Sequence, residues 1–169
     1  MSDNQDPSPS PDTGGNAAQN TRAVALDILI AVLHKHHTLD IALNDHADFA
    51  QLDTRDRAFV RMLVTTALRR LGQVDDLIAR ASDRKARPSP PVLEMILRLG
   101  VVQLIFMDVP SHAAVNTSVD LASGHKLGSR KGFINAVLRR LAQEGKDWTT
   151  RQDIPRLNTP DWLLTRWIE

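Results

Sequence analysis

Three kinds of side chain in this 169-residue chain could do chemistry: a run of histidines, two asparagines beside apolar helical faces, and cations that thicken toward the C-terminal half. "HKHH" (His34 to His37) has the imidazole density of a metal site, but only Asp40 and His46 lie near it in sequence and the chain has no cysteine. It follows a helix end, where imidazolium suits the dipole, so we expect no metal there. His112, next but one after Pro110, is expected at the surface rather than acting as a base, and Asp75-Asp76 is expected to open a helix. Asn116 in "VPSHAAVNTSVDLA" (Val109 to Ala122) and Asn135 in "KGFINAVLRRL" (Lys131 to Leu141) lie near packing faces. A buried amide left unbonded costs about 1–3 kcal/mol, so both are expected to bond structurally between helices. Pro110 should end one helix and Ser111 should cap the next.

The cations are the stronger functional signal. Between Gly124 and Lys146 stand Lys126, Arg130, Lys131, Arg139, Arg140 and Lys146 against Glu144 alone. The whole chain carries +1, but Asp3, Asp6 and Asp12 in residues 1–20 mask +4 over the remainder. Guanidinium groups grip phosphate bidentately and stack on bases. Arg22, Arg69, Arg70, Arg84, Lys85, Arg87, Lys126, Arg130, Lys131, Arg139 and Arg140 are the expected RNA contacts. The chain has no tyrosine, and Phe49, Phe59, Phe106 and Phe133 pattern as core, so contact should be to phosphate and shape, weak and salt-sensitive.

Catalysis is not expected from this chain. Without cysteine there is no thiolate nucleophile, and "GSRKG" (Gly128 to Gly132) joins helices rather than following a strand. No signal peptide is visible, and the apolar run Met95 to Val109 is broken by Arg98, Gln103 and Asp108, too short to span a bilayer. A cytoplasmic protein is expected.

The elements that must position these residues are helices. Residues 1–20 read as a disordered leader. Apolar residues then recur three and four apart in about seven helices. They are about Thr21 to His34, a short one capped by Thr38, one from Asp53 or Thr54 to about Arg70, one after Gly72, and then Val92 to Asp108, His112 to His125 and Lys131 to Gln143. The third should bury a stripe of Phe59, Met62, Leu63, Thr66 or Ala67, and Leu71. The fifth is apolar nearly all round, hence central, and its Gly100 should mark close approach of a neighbour. The fold class is an all-α helical bundle. After Lys146, residues 147–169 read as a linker with two short turns leading into an amphipathic helix carrying Trp162, Leu163, Trp167 and Ile168.

"LRLGVVQLIFMDVPSHAAVNTSVDLA" (Leu97 to Ala122) with "KGFINAVLRRL" resembles the NusB-like helical domain over about residues 21–146, with Pro110, Asn116 and Asn135 in its signatures. "LDTRDRAFVRMLVTTALRRLGQVDDLI" (Leu52 to Ile78) resembles the version at the N-terminus of the RsmB (Sun/Fmu) family, S-adenosylmethionine-dependent rRNA cytosine-C5 methyltransferases. "LNTPDWLLTRW" (Leu157 to Trp167) resembles the segment leading into that family's catalytic portion. The family often has a glutamate where this chain has Thr117, and stand-alone antitermination factors open on an arginine-rich helix where this one has Arg22 alone. The resemblance implies an RNA-binding docking domain, ribosomal RNA as partner, and a catalytic domain elsewhere that uses S-adenosylmethionine and packs on Trp162 and Trp167. The alternatives are an antitermination factor binding RNA with a ribosomal protein, and a purely protein-binding bundle.

Overall fold

The computed structural model describes residues 13–83 and 88–168, with side chains described for 17–83 and 88–166. Among them are ten α-helices and no strand, in the order α1 (Thr13–Leu33), α2 (Leu39–Asn44), α3 (Ala47–Gln51), α4 (Thr54–Arg69), α5 (Leu71–Ser82), α6 (Pro91–Val101), α7 (Ser111–Gly124), α8 (Lys131–Thr149), α9 (Ile154–Asn158) and α10 (Asp161–Ile168). A π-helical turn, Val102–Phe106, extends α6, and a 3₁₀ turn, Gly128–Arg130, precedes α8. No described helix is long and apolar enough to cross a membrane.

The bundle is built around α6. Every residue from Leu93 to Val101 is buried, and α1, α4, α5, α7 and α8 all pack on it. Pro91 starts the helix where its missing N–H is no loss. Full burial creates a problem at Arg98, only 3% exposed. Its fork is satisfied by Asp75 of α5, with Nε to Oδ1 at 2.7 Å and Nη2 to Oδ2 at 2.8 Å, and by Glu94 one turn back at 2.8 Å. Gln103, also buried, donates to the Leu99 carbonyl at 3.1 Å and accepts from Arg22 Nε of α1 at 2.7 Å. Gly100 is the expected point of closest approach: a Cβ there would stand 2.7 Å from Leu138 Cδ1 of α8 and 2.9 Å from Ser118 Oγ of α7.

Local capping sets the helix starts. Asp53 Oδ1 accepts from Asp56 N at 2.7 Å at the head of α4, and Thr38 Oγ1 accepts from Ile41 N at 3.4 Å at the head of α2. His46 Nδ1 accepts from Phe49 N at 3.3 Å, so this histidine is the cap of α3, an element too short to leave a periodic signal.

Other boundaries depart from expectation. α1 begins at Thr13, so residues 13–20 are helical rather than part of a leader; residues 1–12 lie outside the described residues. The extra turns are tied down by Thr21 Oγ1 to the Ala17 carbonyl and by Arg22 Nη1 to the Ala18 carbonyl. Ser111 is not the cap of α7: Pro110 holds that position, and Ser111 is the first helical residue. The buried stripe of α4 is Val60, Leu63, Val64 and Ala67; Met62 is 51% exposed, because the neighbours of α4 lie one position round from where apolarity alone placed them. α8 continues past Gln143 to Thr149, since Gly145 packs against Ile105 and Lys146 Nζ meets Asp108 Oδ1 at 3.0 Å.

The segment after α8 folds back. α9 lies on α5 at Gly72, where a Cβ would overlap the Leu157 carbonyl. Gln73 is the hub: its N–H donates to Asn158 Oδ1 at 3.2 Å, its Oε1 accepts from Asn158 Nδ2 at 2.8 Å, and its side-chain amide donates to Gln152 Oε1 at 3.1 Å. Gln152 Nε2 returns bonds to the Gln73 carbonyl at 3.0 Å and to Asp76 Oδ2 at 2.8 Å.

Three outcomes follow from this packing. Arg98→Met removes the buried guanidinium's bonds to Glu94 and Asp75 and should lower the urea unfolding free energy by about 3 kcal/mol. Gly100→Val overpacks the contact with α7 and α8 and should lower it by about 2 kcal/mol despite the better helix propensity, read in the same titration. Gly72→Ala should release α9 without unfolding the bundle. Amide exchange over residues 154–158 should then speed up about tenfold or more while α6 stays protected; unchanged exchange there would mean α9 is not held at Gly72.

Candidate nucleic-acid interface

α7 and α8 form a hairpin whose turn is closed by burying Leu127, with its N–H on the Ala122 carbonyl at 2.9 Å and Arg130 N on the Leu127 carbonyl at 2.8 Å. Lys126 takes a left-handed conformation (φ 58°) to make that turn. With Leu127 directed inward, Lys126 and Arg130 are thrown outward into solvent, and Lys131 follows at the head of α8, half-buried. None of the three has an ion-pair partner among the described residues. Lys131, Asn135 and Arg139 are four apart, so they share one face of α8. Arg139 Nε donates to Asn135 Oδ1 at 3.0 Å, which leaves both Nη groups of the fork open. Between Ser111 and Gln143 five cations face one carboxylate, Asp120.

A cleft of about 540 Å³ runs between the helices and is lined by His112, Val115 and Asn116 of α7 and by Arg139, Ala142 and Gln143 of α8. Asn116 is exposed in this cleft and makes no hydrogen bond among the described residues, so it is not the interhelical strut expected of it. Its neighbours Thr117 and Ser118 instead bond back to carbonyls of their own helix at 2.8 Å. Asn135 is satisfied, but by Arg139 of its own helix rather than across helices. His112 is exposed, as expected.

The other expected contacts separate by burial. Arg22 is 9% exposed, bonded to Gln103 and Ala18, and stacked 4.9 Å from the Phe59 ring, so it serves the core and cannot reach RNA. Desolvation by that burial lowers its pKa, against an opposing pull from Asp56. Arg70 turns inward over the Phe106 ring at 4.6 Å and donates to Gln73 at 3.1 Å. Arg140 ties α8 to the end of α5, donating to the Ala81 carbonyl at 3.2 Å and to Asp83 Oδ2 at 2.9 Å. Arg70 and Arg140 are thus held by the protein itself. Arg69 is exposed on α4. Arg84, Lys85 and Arg87 lie outside the described residues. Trp162 is 68% exposed on α10; the side chain of Trp167 lies outside the described residues.

Sequence reasoning missed a second set of cations on α4: Arg55, Arg57 and Arg61, all exposed. Their signal was the four-residue row Arg57–Arg61–Thr65–Arg69 opposite the buried stripe, obscured by placing Met62 in the core.

A Cβ at Gly128 or Gly132 would stand in open space, so no neighbouring protein atom requires glycine in this connector. His34 to His37 follow α1 with backbone bonds from His34 N to Ile30 O at 2.9 Å and from His37 N to Ala31 O at 3.1 Å. No described cluster of three or more histidine, aspartate or glutamate side chains is grouped to hold a metal. What the α7–α8 face can do is bind phosphates through unpaired, solvent-facing cations.

Comparison with known proteins agrees with this architecture. The chain is 34% identical over 152 residues to a Synechocystis protein named "Probable ribosomal RNA small subunit methyltransferase B", covering 86% of this chain and 34% of that one. It is 34% identical over 148 residues to the Ribosomal RNA small subunit methyltransferase B of Vibrio cholerae, with the same coverage. It therefore spans about a third of the length of these relatives. Among solved structures, T. maritima NusB superposes with a TM-score of 0.66 at 21% identity, over 76% of this chain and 91% of that one. Antitermination factors NusB and NusE in complex with dsRNA give a TM-score of 0.64 at 20% identity, over 76% and 97% of the two chains. At such identities these two establish the shared fold alone. The NusB family matches residues 19–143, nearly all of the bundle from α1 to α8, and the chain belongs to that family.

Proposed function

We propose that this chain is the RNA-docking domain of an S-adenosylmethionine-dependent rRNA cytosine-C5 methyltransferase whose catalytic residues and methyl-donor site lie in a further domain. The observation that carries the reading is the unpaired cation set Lys126, Arg130, Lys131 and Arg139 on one hairpin of a chain whose relatives are named as rRNA methyltransferases. Arg69, and beyond the described residues Arg84, Lys85 and Arg87, would extend the contact. The RNA would be held by phosphate and shape, because the aromatic rings of the bundle are committed to packing. The exposed Trp162 would pack on the catalytic domain together with Trp167. The protein would work in the cytoplasm, where ribosomal RNA is.

A second reading has its own support: the NusB neighbour solved with NusE and dsRNA raises an antitermination factor that binds RNA with a ribosomal protein.

Fluorescence anisotropy against a small-subunit rRNA hairpin and an unstructured antiterminator-type strand separates the two. Docking predicts tighter binding to the hairpin. With about four phosphates neutralised, affinity should fall roughly hundredfold between 50 and 200 mM salt. Reversing the charges of Lys126, Arg130 and Lys131 should abolish binding. Preference for the single strand would transfer the assignment to antitermination, and no binding to either RNA at low salt would leave the domain a protein-packing bundle.

A further inference from the structure

A pocket of about 450 Å³ opens between α2, α3 and the first half of α4. α4 packs on α1, α5 and α6, whereas the α7–α8 face lies on its own hairpin. Leu43, Phe49 and Ala58 form the apolar part of the pocket, and Asn44, Arg57 and Arg61 the polar part; no carboxylate lines it. Arg61 lies over the Phe49 ring at 5.2 Å, and that ring is only 5% exposed, so the exposed guanidinium rests on a buried aromatic base. Arg57, one turn earlier, is exposed and has no ion-pair partner among the described residues. Of the carboxylates nearest Arg57 in sequence, Asp53 caps α4 and Asp56 faces Arg22.

We propose that this pocket takes one nucleotide of a single-stranded RNA segment. Its phosphate is held by Arg57 and Arg61, and its base stacks on the outer face of the Arg61 guanidinium against Leu43 and Ala58. The strand leaves along α4, where Thr65 and Arg69 continue the row of Arg57 and Arg61. A glutamate- or aspartate-rich peptide is the poorer occupant, because its side chains offer no ring to stack on the Arg61 guanidinium face, whereas a nucleotide supplies both a base and a phosphate. This second contact point rests on the reading of the chain as RNA-binding, and it gives the domain two separate grips on a folded RNA.

The test is an NMR titration of the ¹⁵N-labelled full chain with uridine 5′-monophosphate, uridine and inorganic phosphate, reading arginine Nε–Hε and backbone signals. The nucleotide should produce saturable shifts at Arg57, Arg61 and Ala58 and bind more tightly than uridine or phosphate alone. Arg57→Gln with Arg61→Gln should weaken it about tenfold or more with an unchanged circular dichroism spectrum. Lys126→Glu, Arg130→Glu and Lys131→Glu together should lose the rRNA hairpin yet keep the nucleotide shifts. A chain that takes the nucleotide but no hairpin supports the pocket and removes the α7–α8 reading. No saturable shift, an equal response to phosphate alone, or tighter competition by a polyglutamate peptide overturns the pocket.

Discussion

Burying a helix all round, with an arginine inside it, is the constraint on which the rest of this structure depends. α6 is enclosed from Leu93 to Val101, and Arg98 goes in with it. A guanidinium removed from water without partners would cost several kcal/mol, more than any one apolar contact returns. The bidentate contact from Asp75 and the i,i+4 contact from Glu94 meet that demand, and they fix where α5 crosses α6. Gln103 imposes the same discipline further along, where it requires Arg22 and so sets the register of α1. Gly100 admits α7 and α8 at the same level. With α1, α5, α7 and α8 so placed, the remaining surface is whatever those helices do not use.

The candidate interface is such a remainder. Several arginines are consumed in holding the bundle together: Arg22 and Arg98 in the core, Arg70 across Phe106, Arg140 from α8 to the end of α5. The cations left over collect where the chain turns too tightly for side chains to pack back, at Lys126, Arg130 and Lys131, and along the outer rows of α8 and α4. α5 has a second duty. Its first turn, through Gly72 and Gln73, holds the segment from Gln152 to Asn158. α10 with its exposed tryptophan therefore starts from an anchored position, set by the same helix that neutralises Arg98.

Much of this was legible in the sequence. The three-and-four spacing gave the class of fold and the positions of the main helices. The nearly all-round apolarity about Gly100 marked the central helix and its close contact, and the cations after Gly124 marked the candidate contact surface. What was not legible has a common cause. α3 and α9 have five residues each, too few to show a period. Met62 and Leu63 are equally apolar neighbours, and only the position of α1 decides which of the two is buried. Asn116 looked like a strut because it stands beside a packing face, but the helix turns it just far enough to meet the cleft instead.

The sequence by itself determined the local physics: periodicity, caps at Thr38 and Asp53, the stop at Pro110, and the excess of positive charge from Gly124 to Lys146. Tertiary structure alone decided which charges are free. Arg22 and Arg130 are chemically the same group, and each adjoins an apolar stretch of helix. The difference is Gln103, 81 positions away from Arg22 in the chain, which takes one guanidinium into the core while nothing reaches the other. Partners so distant in sequence leave no trace in a window of a few turns, because the free energy that orients the side chain comes from burial and hydrogen bonding across the bundle.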